Sequence, residues 1–188
     1  MKKNFLTVAL IACLFLTFGI VAAQDAPEKK AENEAQIKEI KPFKYCALEM
    51  TGSYDQHETA YLKLYEEAGK QGLPTDQQPI GIYFNGPQQV PVEELKWEVG
   101  FEVPAEQAVQ APLLKKEWTF TTLASLVYEG KFDENMQSAY GKLFAWIGQN
   151  GYQMAGPLME KSLSMPVKDE NNMWSGKMEI LVPVKKVN

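Results

Sequence analysis

Apolar and polar residues between positions 42 and 188 follow one grammar twice. Alternation over 45–51 predicts a strand, and Gly52 turns the chain. Asp55 with Glu58 three residues on has the spacing of a capping box, followed by a helical stripe of Tyr61, Leu64 and Ala68 that Gly72 ends. Strand alternation resumes over 80–84 and 97–103. The second run predicts a strand over 123–128, a turn at Gly130, and a helix over 133–150 striped by Met136, Tyr140, Leu143 and Ile147. Strands over 158–164 and 177–184 complete it.

The two runs correspond at a nearly fixed offset. Residues 61–72 lie over 140–151 at an offset of 79, which also carries Pro87 onto Pro166 and Pro104 onto Pro183; upstream it becomes 78, from Gly52 to Gly130 and Asp55 to Asp133. A period this long, with four elements per unit, indicates a duplicated module and not a solenoid. The expected fold is α+β: a duplicated β-α-β-β module with two helices on an antiparallel sheet, halves at about 42–104 and 114–184.

Alternation also predicts faces. Ile80, Ile82, Phe84, Val99, Phe101 and Val103, with Met159, Leu163, Met178, Ile180 and Val182, are expected beneath the helices. Gly81, Tyr83, Glu98, Glu102, Glu160, Ser162 and Glu179 are expected on the helix-free face, with Tyr45 and Glu49. That face is either a solvated polar surface or a curved cleft. Carboxylates beside aromatic rings suit an organic cation, through charge pairing and cation-π attraction.

The N-terminal segment reads differently. Lys2 and Lys3 precede an apolar run over 5–21 and a small-residue site at 21–23, the pattern of a secretory signal with cleavage after Ala23. Leu10-Ile-Ala-Cys13 resembles a lipobox, so a lipoprotein anchored at Cys13, or an uncleaved membrane anchor, is the alternative to a periplasmic or secreted protein. Residues 24–41, rich in Ala, Glu, Lys and Gln, read as a solvated tether, leaving 42–188 as the folded domain.

Composition narrows the chemistry. All 19 basic residues are lysine against 24 acidic ones; removing Lys2 and Lys3 with the signal takes the net charge from −5 to −7. An acidic, arginine-free chain is a poor nucleic-acid binder. One histidine, His57, and two cysteines supply no metal-ligand spacing, and no cofactor is implied. Cys46, alternating with Leu48 and Met50, is expected to be a small buried hydrophobe, and His57 a partly buried residue at a helix start.

The motifs resemble the GyrI-like small-molecule-binding domain, also called the AraC-type effector-binding domain. They are Gly81-Ile-Tyr-Phe-Asn-Gly-Pro87, Pro91-Val-Glu-Glu-Leu-Lys-Trp-Glu-Val-Gly100, Ala139-Tyr-x-x-Leu-x-x-Trp146, Gly156-Pro157 leading to Glu160, and Glu179-Ile-Leu-Val-Pro183. The resemblance implies a hydrophobic, cationic or aromatic ligand in the cleft, with Glu160 as central carboxylate and Glu179 as a second acidic position. Ser162 stands where the family usually has an aromatic, whereas Tyr83 keeps the equivalent place in the first half. The resulting expectation is an exported small-molecule-binding protein using Glu160, Tyr83, Glu179, Tyr45 and Ser162, with no catalytic or metal residue. Family members fused to a DNA-binding helix-turn-helix differ from the expectation here, since residues 1–41 read as a signal and a tether. The alternative is a cleft hydrolase in which Glu160 and a tyrosine act as general acid and base.

Overall fold

A computed structural model describes residues 34–132 and 134–187. The expected signal sequence, Cys13 and residues 24–33 of the expected tether lie outside them. The strands are β1 (Gln36–Glu39), β2 (Phe43–Thr51), β3 (Ile80–Tyr83), β4 (Lys96–Glu102), β5 (Leu114–Trp118), β6 (Thr122–Lys131), β7 (Tyr152–Met154), β8 (Leu158–Ser162), β9 (Val167–Lys168) and β10 (Trp174–Lys186). Helix α1 (His57–Lys70) follows β2 and helix α2 (Glu134–Gln149) follows β6. The sheet is antiparallel, in the order β1-β6-β10-β8-β3-β4-β2-β5, with β7 and β9 pairing β10. From the central β3/β8 pair outward, the same sequence of elements runs in both directions.

Both helices pack on one face. Ala60, Leu64 and Ala68 of α1 meet Cys46, Leu48, Val99 and Phe101, while Ala139, Leu143 and Ile147 of α2 meet Ala124, Leu126, Ile180 and Val182. Their i, i+4 spacing is what the helical stripes dictate. The start of α1 differs from the capping-box expectation. Ser53 accepts from the Asp55 amide at 3.2 Å and opens a 3-10 turn over Tyr54–Gln56 that leads into the helix. Gly72, at φ +65°, ends it in the left-handed conformation glycine tolerates.

Within the stretch expected to be a tether, β1 is a strand. Lys38 pairs Leu123 of β6, and Ala35 and Ile37 pack against the α2 core. Two apolar residues are too few to produce a periodic signal, yet they suffice on an edge strand whose pairing is set by β6.

The helix-free face is not an open surface. In a flat sheet the six steps from β1 to β2 would separate them by about 28 Å, but only residues 40–42 join the two strands, a reach of about 14 Å from Glu39 to Phe43. Residues 119–121 make the same crossing from β5 to β6, and Ile40 donates its amide to the Thr121 carbonyl at 2.9 Å. The sheet therefore curls, helix-free face inward, and buries a second apolar layer of Tyr45, Ala47, Ile80, Ile82, Trp118, Leu123, Met159 and Leu181.

This inner layer inverts two strands relative to expectation. Ile80, Ile82 and Met159 line the inner face, so Gly81, Tyr83, Glu160 and Ser162 face the helices; β4 and β10 keep the expected orientation. Phe84 lies just past β3 and is half exposed. With apolar residues required on both faces, alternation fixes which residues share a face but not which face meets the helices.

A carboxylate between the two helices

Glu160 on β8 and Gly81 on β3 are direct register partners at the middle of the sheet. The Tyr140 hydroxyl of α2 donates to Glu160 Oε1, and the Tyr83 hydroxyl donates to Oε2 at 2.9 Å. A β-carbon on Gly81 would stand 2.8 Å from the Tyr83 hydroxyl and 3.2 Å from that of Tyr61 on α1. Glycine leaves room there for the two phenols, and any side chain would have to displace the Tyr83 hydroxyl.

A second layer orients the first. The Tyr83 hydroxyl lies 3.1 Å from His57 Nε2. Its single proton is committed to Glu160, so the imidazole Nε2–H donates and Tyr83 accepts, giving a chain from His57 through Tyr83 to the carboxylate. The imidazole stacks on Tyr54 (centroids 5.6 Å apart) and meets the Trp97 edge at 4.6 Å. Burial pushes the His57 pKa down to about 4, opposed by nearby Asp55, so the ring is neutral at physiological pH.

Burial raises the Glu160 pKa, with the hydrogen bonds from Tyr140 and Tyr83 pulling it back down. Burial and the charge of Glu160 raise the pKa values of Tyr61, Tyr83 and Tyr140, so all three phenols remain protonated. The site is one carboxylate within a shell of neutral hydroxyl and aromatic groups.

Glu160 differs here from the other strand carboxylates. Glu98 accepts from Lys116 and from the Tyr45 hydroxyl, the latter at 2.6 Å; Glu102 pairs with Lys161; Glu179 pairs with Lys38 and accepts from the Ser125 hydroxyl. No lysine contacts Glu160 among the described residues. Lys161, adjacent in sequence, points to the opposite face, as strand alternation requires.

The five expected site residues therefore divide. Glu160 and Tyr83 touch, and buried Ser162 shares their face two residues along β8, but Glu179 and Tyr45 lie on the inner face in ion-paired or hydrogen-bonded positions of their own. Tyr61, Tyr140, Gly81 and His57 complete the site and are not among the expected site residues. A signal for three of them is in the sequence: the offset of 79 carries Tyr61 onto Tyr140, Gly81 onto Glu160, and Tyr83 onto Ser162. Cys46 is buried and unpaired, its thiol pushed up to about 11 by desolvation, consistent with a packing role. No cluster of three or more metal-ligating side chains occurs among the described residues.

Two helices on one antiparallel sheet, with a phenol-ringed carboxylate beneath them, define the class as an α+β domain. The chain belongs to the GyrI-like family: the model described as "GyrI-like small molecule binding domain" matches residues 24–185. Among solved structures it is similar to the EcmrR C-terminal domain, at 18% identity and TM-score 0.65, covering 82% of this chain and 99% of that one. It is also similar to a hydrolase encoded by lin2189 from Listeria innocua (10% identity, TM-score 0.58, covering 84% and 94%). SAV2435 bound to tetraphenylphosphonium matches at 12% identity and TM-score 0.55, covering 81% and 94%. A search of curated proteins finds no match.

Two outcomes follow from this geometry. Because the native pKa of Glu160 is raised, the folded state holds a proton that the unfolded state has already released, and the ligand-free protein loses stability as pH rises through that interval. Glu160→Gln is expected to be more stable than wild type at pH 7, with the gap closing toward pH 4, in denaturant melts at both pH values. Gly81→Ala is expected to move the Tyr83 hydroxyl off the carboxylate and raise the Glu160 titration midpoint further, measured by carboxyl carbon NMR.

Proposed function

We propose that this protein binds a hydrophobic organic cation on the helix-bearing face of the sheet, with Glu160 as the countercharge and Tyr61, Tyr83 and Tyr140 as its aromatic surround. The observation that carries this is the unmatched carboxylate: Glu160 is held by phenols alone, whereas Glu98, Glu102 and Glu179 each have a lysine. A desolvated carboxylate is costly unless a positive charge reaches it, and a guest that brings one also gains cation-π contact. Phe144, four residues after Tyr140 and partly exposed, adds apolar surface on the same stripe of α2. The tetraphenylphosphonium bound to SAV2435 is a ligand of this chemistry. The signal-like pattern over 1–23 supports an exported site of action, periplasmic or secreted.

A second reading, a hydrolase, draws on the chain from His57 through Tyr83 to Glu160 and on the likeness to a Listeria innocua hydrolase. Weighing against it, the phenols hold their protons too firmly to serve as bases. Turnover of p-nitrophenyl acetate that disappears in Glu160→Gln would favour it.

Tetraphenylphosphonium is expected to bind one-to-one by isothermal titration calorimetry, with Glu160→Gln weakening it by roughly 10- to 100-fold, the usual scale for losing a close charge pair. Unchanged affinity in the variant would defeat the proposal. Export predicts an intact mass beginning at Gln24 for protein recovered from its own host; a mass beginning at a lipidated Cys13 would indicate anchoring instead.

A further inference from the structure

A cavity of about 260 Å³ lies on the inner face of the curled sheet, away from Glu160. The link over 40–42 borders it. Ile40 and the Phe43 ring form its accessible apolar walls above the buried Met159 and Leu181, and Lys38, Lys41, Lys161, Glu102 and Glu179 supply its charges. The charges are arranged, not scattered. Glu179, only 4% exposed, accepts from Lys38 at 2.7 Å on each oxygen and from Ser125 at 2.6 Å; Glu102 pairs with Lys161, whose ammonium also stands 5.9 Å from the centroid of the Phe43 ring.

Three ammonium groups against two carboxylates leave the cavity with one surplus positive charge. Each carboxylate already has its own lysine, so an incoming cation would have to displace one, whereas an anion completes the balance beside Lys41 and Lys161. The volume falls just below the usual range for drug-sized ligands, which limits the guest to about one or two rings. We propose that this cavity is a second ligand site, taking a small aromatic carboxylate whose ring lies against Ile40 and Phe43 and whose carboxylate meets Lys41 and Lys161. The two sites then sit back to back on β8: Glu160 faces the helices, and its neighbours Met159 and Lys161 face the inner side. They select opposite charges, and the second does not depend on what occupies the first.

The test uses 2-naphthoate and the full chain. Saturable one-to-one binding is expected by calorimetry, at least tenfold weaker in the double variant Lys41→Gln/Lys161→Gln, unaltered in Glu160→Gln, and undiminished by tetraphenylphosphonium. Loss of Lys161 leaves Glu102 41% exposed and hydrated, so the fold is expected to survive. Ile40→Trp fills the cavity without changing its charge and is expected to abolish naphthoate binding while far-ultraviolet circular dichroism stays native. Absence of saturable binding by wild type, equal affinity in the double variant, competition by tetraphenylphosphonium, or retained binding in Ile40→Trp would each overturn the proposal.

Discussion

The central β3/β8 pair brings positions 81 and 160 face to face beneath both helices, and the rest of the site is arranged around that contact. Only one of the two can carry a long side chain. Two carboxylates would each hinder the other's ionisation, and two β-carbons would exclude the phenols. Glycine on β3 and glutamate on β8 resolve this, leaving a single carboxylate reached by Tyr83 from the sheet and by Tyr140 from a helix. An otherwise regular arrangement of elements thus has one asymmetric charge at its middle.

Much of the fold is legible because periodicity survives folding: the stripes of α1 and α2 and the alternation of β2, β4 and β10 match the packing observed. The sign of β3 and β8 is not legible. Ile80, Ile82 and Met159 alternate as a one-sided strand would, but the inner layer they fill arises from the curl, and the curl follows from how few residues join β1 to β2 and β5 to β6. That constraint becomes visible only once the strand order is known. The site suffers the same limit. Glu98, Glu160 and Glu179 look alike in sequence; what separates them is whether Lys116, Lys38 or no lysine arrives, and those lysines come from other strands.

The inner and outer faces divide the electrostatics of a chain that has lysine as its only strong cation. On the inner face, ammonium groups on flexible stems reach carboxylates from neighbouring strands, and Glu98 and Glu179 are almost wholly removed from solvent by those pairings. On the helix face, the residues around Glu160 are Tyr, His and Trp, which solvate a charge weakly and cannot cancel it. Two chemically different environments are kept apart by one strand thickness.

His57 illustrates how a ring can sit beside a buried carboxylate without adding a charge. A histidine two bonds removed from Glu160 would cancel its charge if protonated, and an exposed imidazole would be partly protonated near neutral pH. Stacking on Tyr54 and a T-shaped contact with Trp97 bury the ring and hold its pKa near 4, so it contributes a hydrogen-bond donor without a positive charge. The phenols are held protonated by the same burial and by the carboxylate itself. Glu160 is therefore the group that carries this cluster's charge when ionised, and the burial that raises its pKa is offset only by the two phenol hydrogen bonds it accepts.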